Sequence, residues 1–563
     1  SEVRLIVKME NNFLSVEKTY VVYPKTSVIR QWVTYQNRSL RPITVSDPYF
    51  LVHRLRADEA GHLTLYYMTG GGFFTGSQLL KSVPLSTGYA RSFDTKGSPV
   101  SKVYDPMLDL RDPSGSVEKS VEISGTKLDV GYAHPYGSGV YMPWFAISDD
   151  HSREGLFIGF DYWGRWAAQI GNYHGKSGYL GLRVAGYKQQ LMPGESLTTP
   201  VAFTGVFAGD LDDMGNQLKD WQYRYLWDYT RDDYFAKIRF VSQMRWQPDK
   251  GAVLWGGGTQ DNWDYRMAAM FHSVDVMRYL GADILWQDAG WHDHIGDNDG
   301  PDFSVVKRYL GQHGMGLAVW WPLYSIARQS RVNREHPEWS TFDSAHNSMI
   351  LDTSRPEVMD YLSTQLDNKV AAWGDFQWRL DATSVWPVNK DETPMLVQYQ
   401  NMMAIQKRFR HRHPGSSIDL CSDGGNLMGF EGLRMSDVSQ LTDGGTLYVS
   451  NYYSSYLFPP DKIDDWTRVS NFTWENARSV LTMAPAWAGD RGLYGNTPGL
   501  LLNNGLDNQR KNFELYHYLV TQGVAGRWSQ VYHPGVNGDN PVFYLSLIHI
   551  SEPTSQAVNS YAV

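Results

Sequence analysis

The chain has 563 residues, with 51 Lys and Arg against 60 Asp and Glu, a formal net charge of −9 that argues against nucleic-acid binding, which needs a basic face. Hydrophobic residues make up 42% and charged residues 20%, the proportions of a globular chain long enough for two or three separate cores. Its single cysteine, Cys421, excludes an intrachain disulfide and any cysteine-built zinc site.

In chain order, residues 1–235 read as β-structure. Short alternating runs such as Tyr20-Val21-Val22-Tyr23, Val28 to Val33 and Leu156 to Phe160 are separated by Gly, Pro, Asn and Asp, the texture of a β-sandwich. The stretch Met214 to Tyr225 has helical spacing and links to the next domain. From 236 to 525 strand-like and helical segments alternate, which predicts βα units closing into a (β/α)8 TIM barrel, so the fold class is multidomain, α/β and β. The strand candidates are Ala252 to Trp255, Ala282 to Gln287, Gly316 to Trp320, Phe376 to Leu380, Ser417 to Cys421 and a short piece ending at Asp437. Helices are expected at Glu357 to Trp373, Met395 to Arg410 and Trp474 to Met483. A doubly wound sheet is the alternative, but no Gly-x-Gly-x-x-Gly opens a helix after a strand. Residues 526–563 return to β-like text, the start of a short or truncated C-terminal β-domain. The run Leu545 to Thr554 resembles translated sequencing adapter, as found in metagenome-derived sequences, and the tail from about 546 is set aside as non-native. There is no 18-residue apolar run and hence no expected membrane span.

The chemistry concentrates where apolar runs end in carboxylates. Gln377-Trp378-Arg379-Leu380-Asp381 stops abruptly at an acid, and the C-terminal end of a barrel strand is where catalytic groups sit. Leu433-Arg434-Met435-Ser436-Asp437 offers a second, and two such carboxylates are the minimum for glycoside hydrolysis. Trp286-Gln287-Asp288-Ala289-Gly290-Trp291 ends a third candidate strand; its acid either binds sugar hydroxyls or caps a helix. Pro356, after Asp352-Thr353-Ser354-Arg355, is ordinary first-turn chemistry. The surplus of Trp, 21 in all, suits both packed cores and sugar faces; Trp163, Trp166 and Trp255 fit a pocket wall or a domain interface equally well. Asp293, Asp297 and Asp299 lack the glycine and glutamate spacing of an EF-hand, and His292 with His294 lacks a third zinc ligand, so no metal is expected.

Six segments occur in the order seen in glycoside hydrolase family 36: Asp288-x-Gly290-Trp291, His336-Pro337-Glu338-Trp339, Leu351-Asp352-x-x-Arg355-Pro356-Glu357-Val358, Trp378-x-x-Asp381, Cys421-Ser422-x-Gly424-Gly425 and Ser436-Asp437. Ser455 to Pro460 also resembles the segment that follows the acid/base there. The resemblance covers about 200 to 525. It implies a retaining exo-α-glycosidase of the α-galactosidase type, working through a covalent glycosyl-enzyme and needing no cofactor. By matching, Asp381 falls on the nucleophile and Asp437 on the general acid/base. Asp288, Trp291, Trp320, Arg355, Arg379, Cys421, Ser422, Asp423 and Gly424 fall on substrate-binding positions. The implied partner is an oligosaccharide or glycoconjugate ending in an α-galactose-type sugar, and the family implies homo-oligomers. The compartment stays open between bacterial cytoplasm and a periplasmic or secreted location with a signal peptide removed.

Departures from the family pattern bear on the sugar. Ala289 replaces one of two paired aspartates, Arg379 stands for a usual Lys, and Trp321-Pro322-Leu323 replaces an acidic motif. Asp423 stands where Gly is usual, and a carboxylate beside C2 suits a 2-amino sugar; its plain alternative is a turn residue. An α-N-acetylgalactosaminidase or α-galactosaminidase is therefore the alternative, and a catalytically inactive carbohydrate-binding protein the further one.

Overall fold

The computed structural model describes residues 2–94, 141–252, 271–467, 484–487 and 505–547, less shorter stretches within them, of which 382–392, 422–424 and 442–446 adjoin the site discussed below.

The N-terminal half is a two-layer sandwich. A nine-stranded sheet faces a four-stranded one made of Tyr49–Arg56, Ser177–Val184, Trp166–Asn172 and Ala90–Asp94. Between them lies an aromatic core, with the fully buried Trp166 ring edge-on to Phe160 at 4.8 Å and to Phe145 at 6.2 Å. Of the three tryptophans left open between pocket and packing, Trp166 is therefore a sandwich core residue; Trp163 and Trp255 lie outside the described residues. The other face of the large sheet is smoothed by pairing phenylalanine with glycine across adjacent strands. Phe157 lies opposite Gly205, Phe203 opposite Gly159 and Phe207 opposite Gly155. A Cβ at Gly159 would sit 2.0 Å from the Phe203 ring and one at Gly205 2.1 Å from the Phe157 ring, so no larger residue fits.

A helix, α1 (Leu211–Trp221), follows the last sandwich strand. Asp210 and Asp213 cap it reciprocally, each side chain accepting the other's backbone N–H.

Eight parallel strands then close into a barrel: β1 (Arg239–Ser242), β2 (Ile284–Gln287), β3 (Gly316–Trp320), β4 (Gln377–Leu380), β5 (Ser417–Leu420), β6 (Val438–Gln440), β7 (Ile463–Thr467) and β8 (Ala484–Trp487). Connecting helices include α2 (Phe303–Gln312), α3 (Pro356–Trp373), α4 (Thr393–Arg412) and α5 (Phe430–Met435). The basic last turn of α4, Arg410 to Arg412, complements the helix dipole.

Two strand expectations are corrected. The first barrel strand is Arg239–Ser242, not Ala252 to Trp255; Gly251–Ala252 pairs instead with Trp246–Gln247 in a minor ladder. The segment ending at Asp437 is not a strand. Phe430–Met435 is helical, Ser436 donates back to the Gly432 carbonyl, and β6 starts only at Val438. A short apolar run does not reveal by itself whether it is strand or helix. The expected helix at Trp474 to Met483 lies outside the described residues.

Sandwich and barrel share one interface. Phe203 meets Phe430 of α5 edge-on at 4.7 Å, and the Tyr399 hydroxyl of α4 donates to the Asp161 carbonyl at 3.0 Å. Charges are buried there too: Arg30 lies 3.6 Å from Asp161, while Arg434 pairs with Glu431. Burial first, and then the charge of Glu431, push the Asp161 carboxyl up to about 8. From the last turn of α1 onward, the buried Lys219 donates to the Ser455 carbonyl at 2.7 Å, Gln222 donates to Leu457 O at 2.7 Å, and the Tyr223 hydroxyl bonds Asp461. Burial pulls Lys219 down to about 7. The C-terminal segment returns to the same place, where the His533 ring bonds Asp212 of α1 through Nδ1 and the Ser455 hydroxyl through Nε2, 2.7 Å away, and stacks on Tyr456 at 3.6 Å.

Candidate active site

Side chains alternate across a barrel wall, so the parity of each strand decides what faces the axis. Arg379 of β4 donates to Asp419 of β5 at 2.5 Å and to the Gln440 side chain of β6, and its guanidinium lies 4.2 Å from the Trp286 ring centroid of β2. These contacts mark the inward set. Gln377, two residues earlier, donates to the same Asp419 at 3.2 Å. The outward set includes Trp378, packed 5.5 Å from Phe409 of α4. Both partners of the Arg379–Asp419 pair are 1% exposed, and a cation this deep is retained by bonding on several sides.

Following the same parity towards the strands' C-terminal ends brings Asp288, Trp320, Asp381 and Cys421 to the inward side of the mouth. Asp381 is half-buried, whereas Asp288, Trp320 and Cys421 are buried. The register sets Leu380 beside Leu420, so Asp381 and Cys421 emerge from neighbouring strands at one level. The indole N–H of Trp320 donates to Asp381 Oδ2 at 2.8 Å. Arg379 therefore forms the polar floor two residues below Asp381. It is bound sideways into the barrel.

Asp437 lies elsewhere. Its backbone N–H donates to Ile418 O at 2.8 Å, which sets it beside Ile418, three residues before Cys421. At about 3.3 Å per residue it sits roughly 10 Å below the level of Asp381, at the N-terminal end of β6. Its carboxylate also points outward, accepting both terminal nitrogens of Arg410 on α4 at 3.0 and 3.1 Å and the Ile418 N–H at 2.8 Å. A retaining pair needs carboxyls about 5–5.5 Å apart. The expectation that Asp437 faces Asp381 is not met, because a helix precedes Asp437 and β6 begins only after it. The chain leaves the C-terminal end of β6 through Leu441, and the first carboxylate after that is Asp443, which lies outside the described residues. The signal was present in the text: Gln440-Leu441-Thr442-Asp443 repeats the polar-then-leucine ending of Arg379-Leu380-Asp381.

The remaining expected positions divide. Trp291 is a core residue, 2% exposed, edge-on to Phe303, Trp321 and Trp373, and its indole N–H donates to the Trp320 carbonyl at 2.6 Å. It supports the wall and has no face open to a sugar. Arg355 is the N-cap residue of α3, its half-exposed guanidinium 3.6 Å from Asp352 and 3.4 Å from Glu357. Ser422, Asp423 and Gly424 lie outside the described residues. Among the described residues no group of three or more His, Cys, Asp or Glu is placed to hold a metal ion.

Fold and site together define the class: a β-sandwich preceding a closed parallel barrel, with a carboxylate at the barrel's C-terminal mouth, the face where such barrels carry their chemistry. The comparisons agree with this and with the family resemblance of the motifs. No known protein-family profile matches the chain. It is 22% identical over 395 residues to α-galactosidase 2 of Hypocrea jecorina, covering 65% of this chain and 46% of that protein. It is 25% identical over 388 residues to the bifunctional α-galactosidase/sucrose kinase AgaSK of Mediterraneibacter gnavus, covering 62% of this chain and 39% of that one. The chain thus spans less than half the length of these curated relatives. Among solved structures, family 36 α-galactosidase AgaA from Geobacillus stearothermophilus superposes with a TM-score of 0.68 at 15% identity, over 92% of this chain and 70% of that one. The galactosidase domain of AgaSK superposes with a TM-score of 0.70 at 16% identity, over 95% and 70%. At these identities the structural likeness establishes a shared fold.

Proposed function

We propose that the chain is a retaining exo-α-glycosidase acting on terminal α-linked galactose, with Asp381 as nucleophile and Asp443 as general acid/base. The observation that carries this reading is Asp381 itself, a partly exposed carboxylate at the mouth with one oxygen held by Trp320. In the first step a carboxylate oxygen of Asp381 bonds to the anomeric carbon as the glycosidic bond breaks, and Asp443 gives its proton to the leaving oxygen. In the second, Asp443 takes a proton from water, whose oxygen displaces the Asp381 ester; two inversions give net retention. Asp288, buried at the end of β2, is the sugar-hydroxyl acceptor in this scheme. Variants of AgaA have been solved with stachyose and with raffinose, which supports α-galactosyl oligosaccharides as the substrate class here.

Parallel assays on aryl α-galactoside, α-N-acetylgalactosaminide and α-galactosaminide test the reading. Dominant galactoside turnover is expected; preference for a 2-substituted sugar would transfer the assignment to recognition at C2 by Asp423. Asp381→Asn and Asp443→Asn should each lower turnover by about a thousandfold or more. Full activity in Asp443→Asn would remove it from the acid/base role.

A further inference from the structure

The tryptophan at the end of β3 invites comparison with a sugar-stacking platform, but its surroundings point to another task. Trp320 is only 5% exposed, so little of its ring is open to a ligand. Its polar edge is turned to the nucleophile, with Nε1 2.8 Å from Asp381 Oδ2. An indole N–H is a donor only and cannot exchange roles with the carboxylate, so the contact has one polarity throughout a reaction. The residue is itself fixed from two sides. The Trp291 indole donates to the Trp320 carbonyl at 2.6 Å, and the next residue, Trp321, donates its backbone N–H to Arg379 O at 2.9 Å and accepts from the Trp378 indole at 2.9 Å. Two indole donors, Trp378 and Trp320, thus tie the ends of β3 and β4 together, a third, Trp291, ties the segment after β2 to β3, and the last of this chain of contacts ends on the reacting group.

Resting on the galactosidase reading above, we propose that Trp320 is a positioning residue for the nucleophile: its N–H donates to Oδ2 and helps set the plane of the carboxylate, whose Oδ1 forms the bond to the anomeric carbon. When Oδ1 becomes the ester oxygen, Oδ2 becomes the ester carbonyl, and the same donor stabilises the carboxylate that re-forms when water displaces it. Trp291 and Trp378 act one layer further back by holding the strand ends that carry the pair.

The decisive variant removes the donor and keeps the shape. Site-specific replacement of Trp320 by its sulfur isostere, benzothienylalanine, alongside Trp320→Phe, isolates the N–H from the ring. A hydrogen bond to a charged group sets the expected loss of kcat at about 10- to 100-fold in the isostere. The inhibition constant of free galactose and the melting temperature should stay unchanged, and the loss should persist with an aryl galactoside bearing a good leaving group, because attack and not protonation is impaired. An unchanged kcat in the isostere overturns the proposal, and so does a weakened galactose affinity that accounts for the whole loss, since that describes a platform. Should the wild type turn over none of the three aryl glycosides, the galactosidase reading falls separately. The contact is then read from carbodiimide labelling of Asp381 by peptide mass spectrometry: faster labelling in the isostere supports the contact, and equal labelling overturns it.

Discussion

At the residue scale, the barrel interior is unusual in placing Arg379 and Asp419 beneath the mouth, both almost wholly buried. Removing one partner of such a pair leaves an uncompensated charge, so Arg379→Met should cost about 3–5 kcal/mol, while Arg379→Met combined with Asp419→Leu recovers much of it. Denaturant unfolding of the three proteins measures the difference. Asp437 provides the contrast with a catalytic acid. Asp437→Asn disrupts the bidentate pair with Arg410 and should destabilise the protein by roughly 3 kcal/mol, while each folded molecule keeps most of its turnover. Equal stability with lost turnover would restore Asp437 to the chemistry. Asp381 was legible because an abrupt acid after an apolar strand has few structural uses. Asp437 is ambiguous in the sequence because Ser-Asp after a leucine and a methionine looks alike whether it ends a strand or precedes one. Only the register tells the two ends of a barrel apart.

At the element scale, the same physics explains which strands could be read. β2, β3 and β4 contain Leu, Val and Trp turned outward onto the helices, and these runs stand out in the sequence. β1 and β6 read Arg-Phe-Val-Ser and Val-Ser-Gln; their inward positions include the polar Gln440, and their apolar signal is diluted below recognition. The sandwich strands alternate cleanly because one face meets the core. What alternation did not disclose is the phenylalanine-over-glycine face that receives α5. Gly159→Ala must push the Phe203 ring out of its slot and with it the Phe430 contact; overpacking of this kind costs typically about 1–3 kcal/mol. A melting temperature unchanged in Gly159→Ala would show that the ring has room to move.

At the scale of the whole molecule, the shared interface predicts joint unfolding. The bonds from Lys219, Gln222 and Tyr223 to residues 455–461 tie the sequence before the barrel to the connection between its sixth and seventh strands. Calorimetry should show one transition for sandwich and barrel, and a fragment beginning at 236 should fail to fold. Two buried groups give that transition opposing pH slopes. Asp161 has its carboxyl raised to about 8, so its contribution is complete at acid pH and is lost as pH rises through 8. Lys219 is lowered to about 7, so its contribution is complete at alkaline pH and is lost as pH falls through 7. Melting curves of Asp161→Asn should therefore be flatter than wild type between pH 5 and 8, and those of Lys219→Met flatter between 7 and 10. Finally, the contacts of His533 with Asp212 and Ser455 run carboxylate to Nδ1 and Nε2 to hydroxyl, the same atom order as a serine hydrolase triad. Here Ser455 is fully buried and its hydroxyl also donates to the Tyr452 carbonyl at 2.6 Å. A fluorophosphonate probe should leave it unlabelled. The atoms of a nucleophile, sealed from any substrate, serve as a rivet.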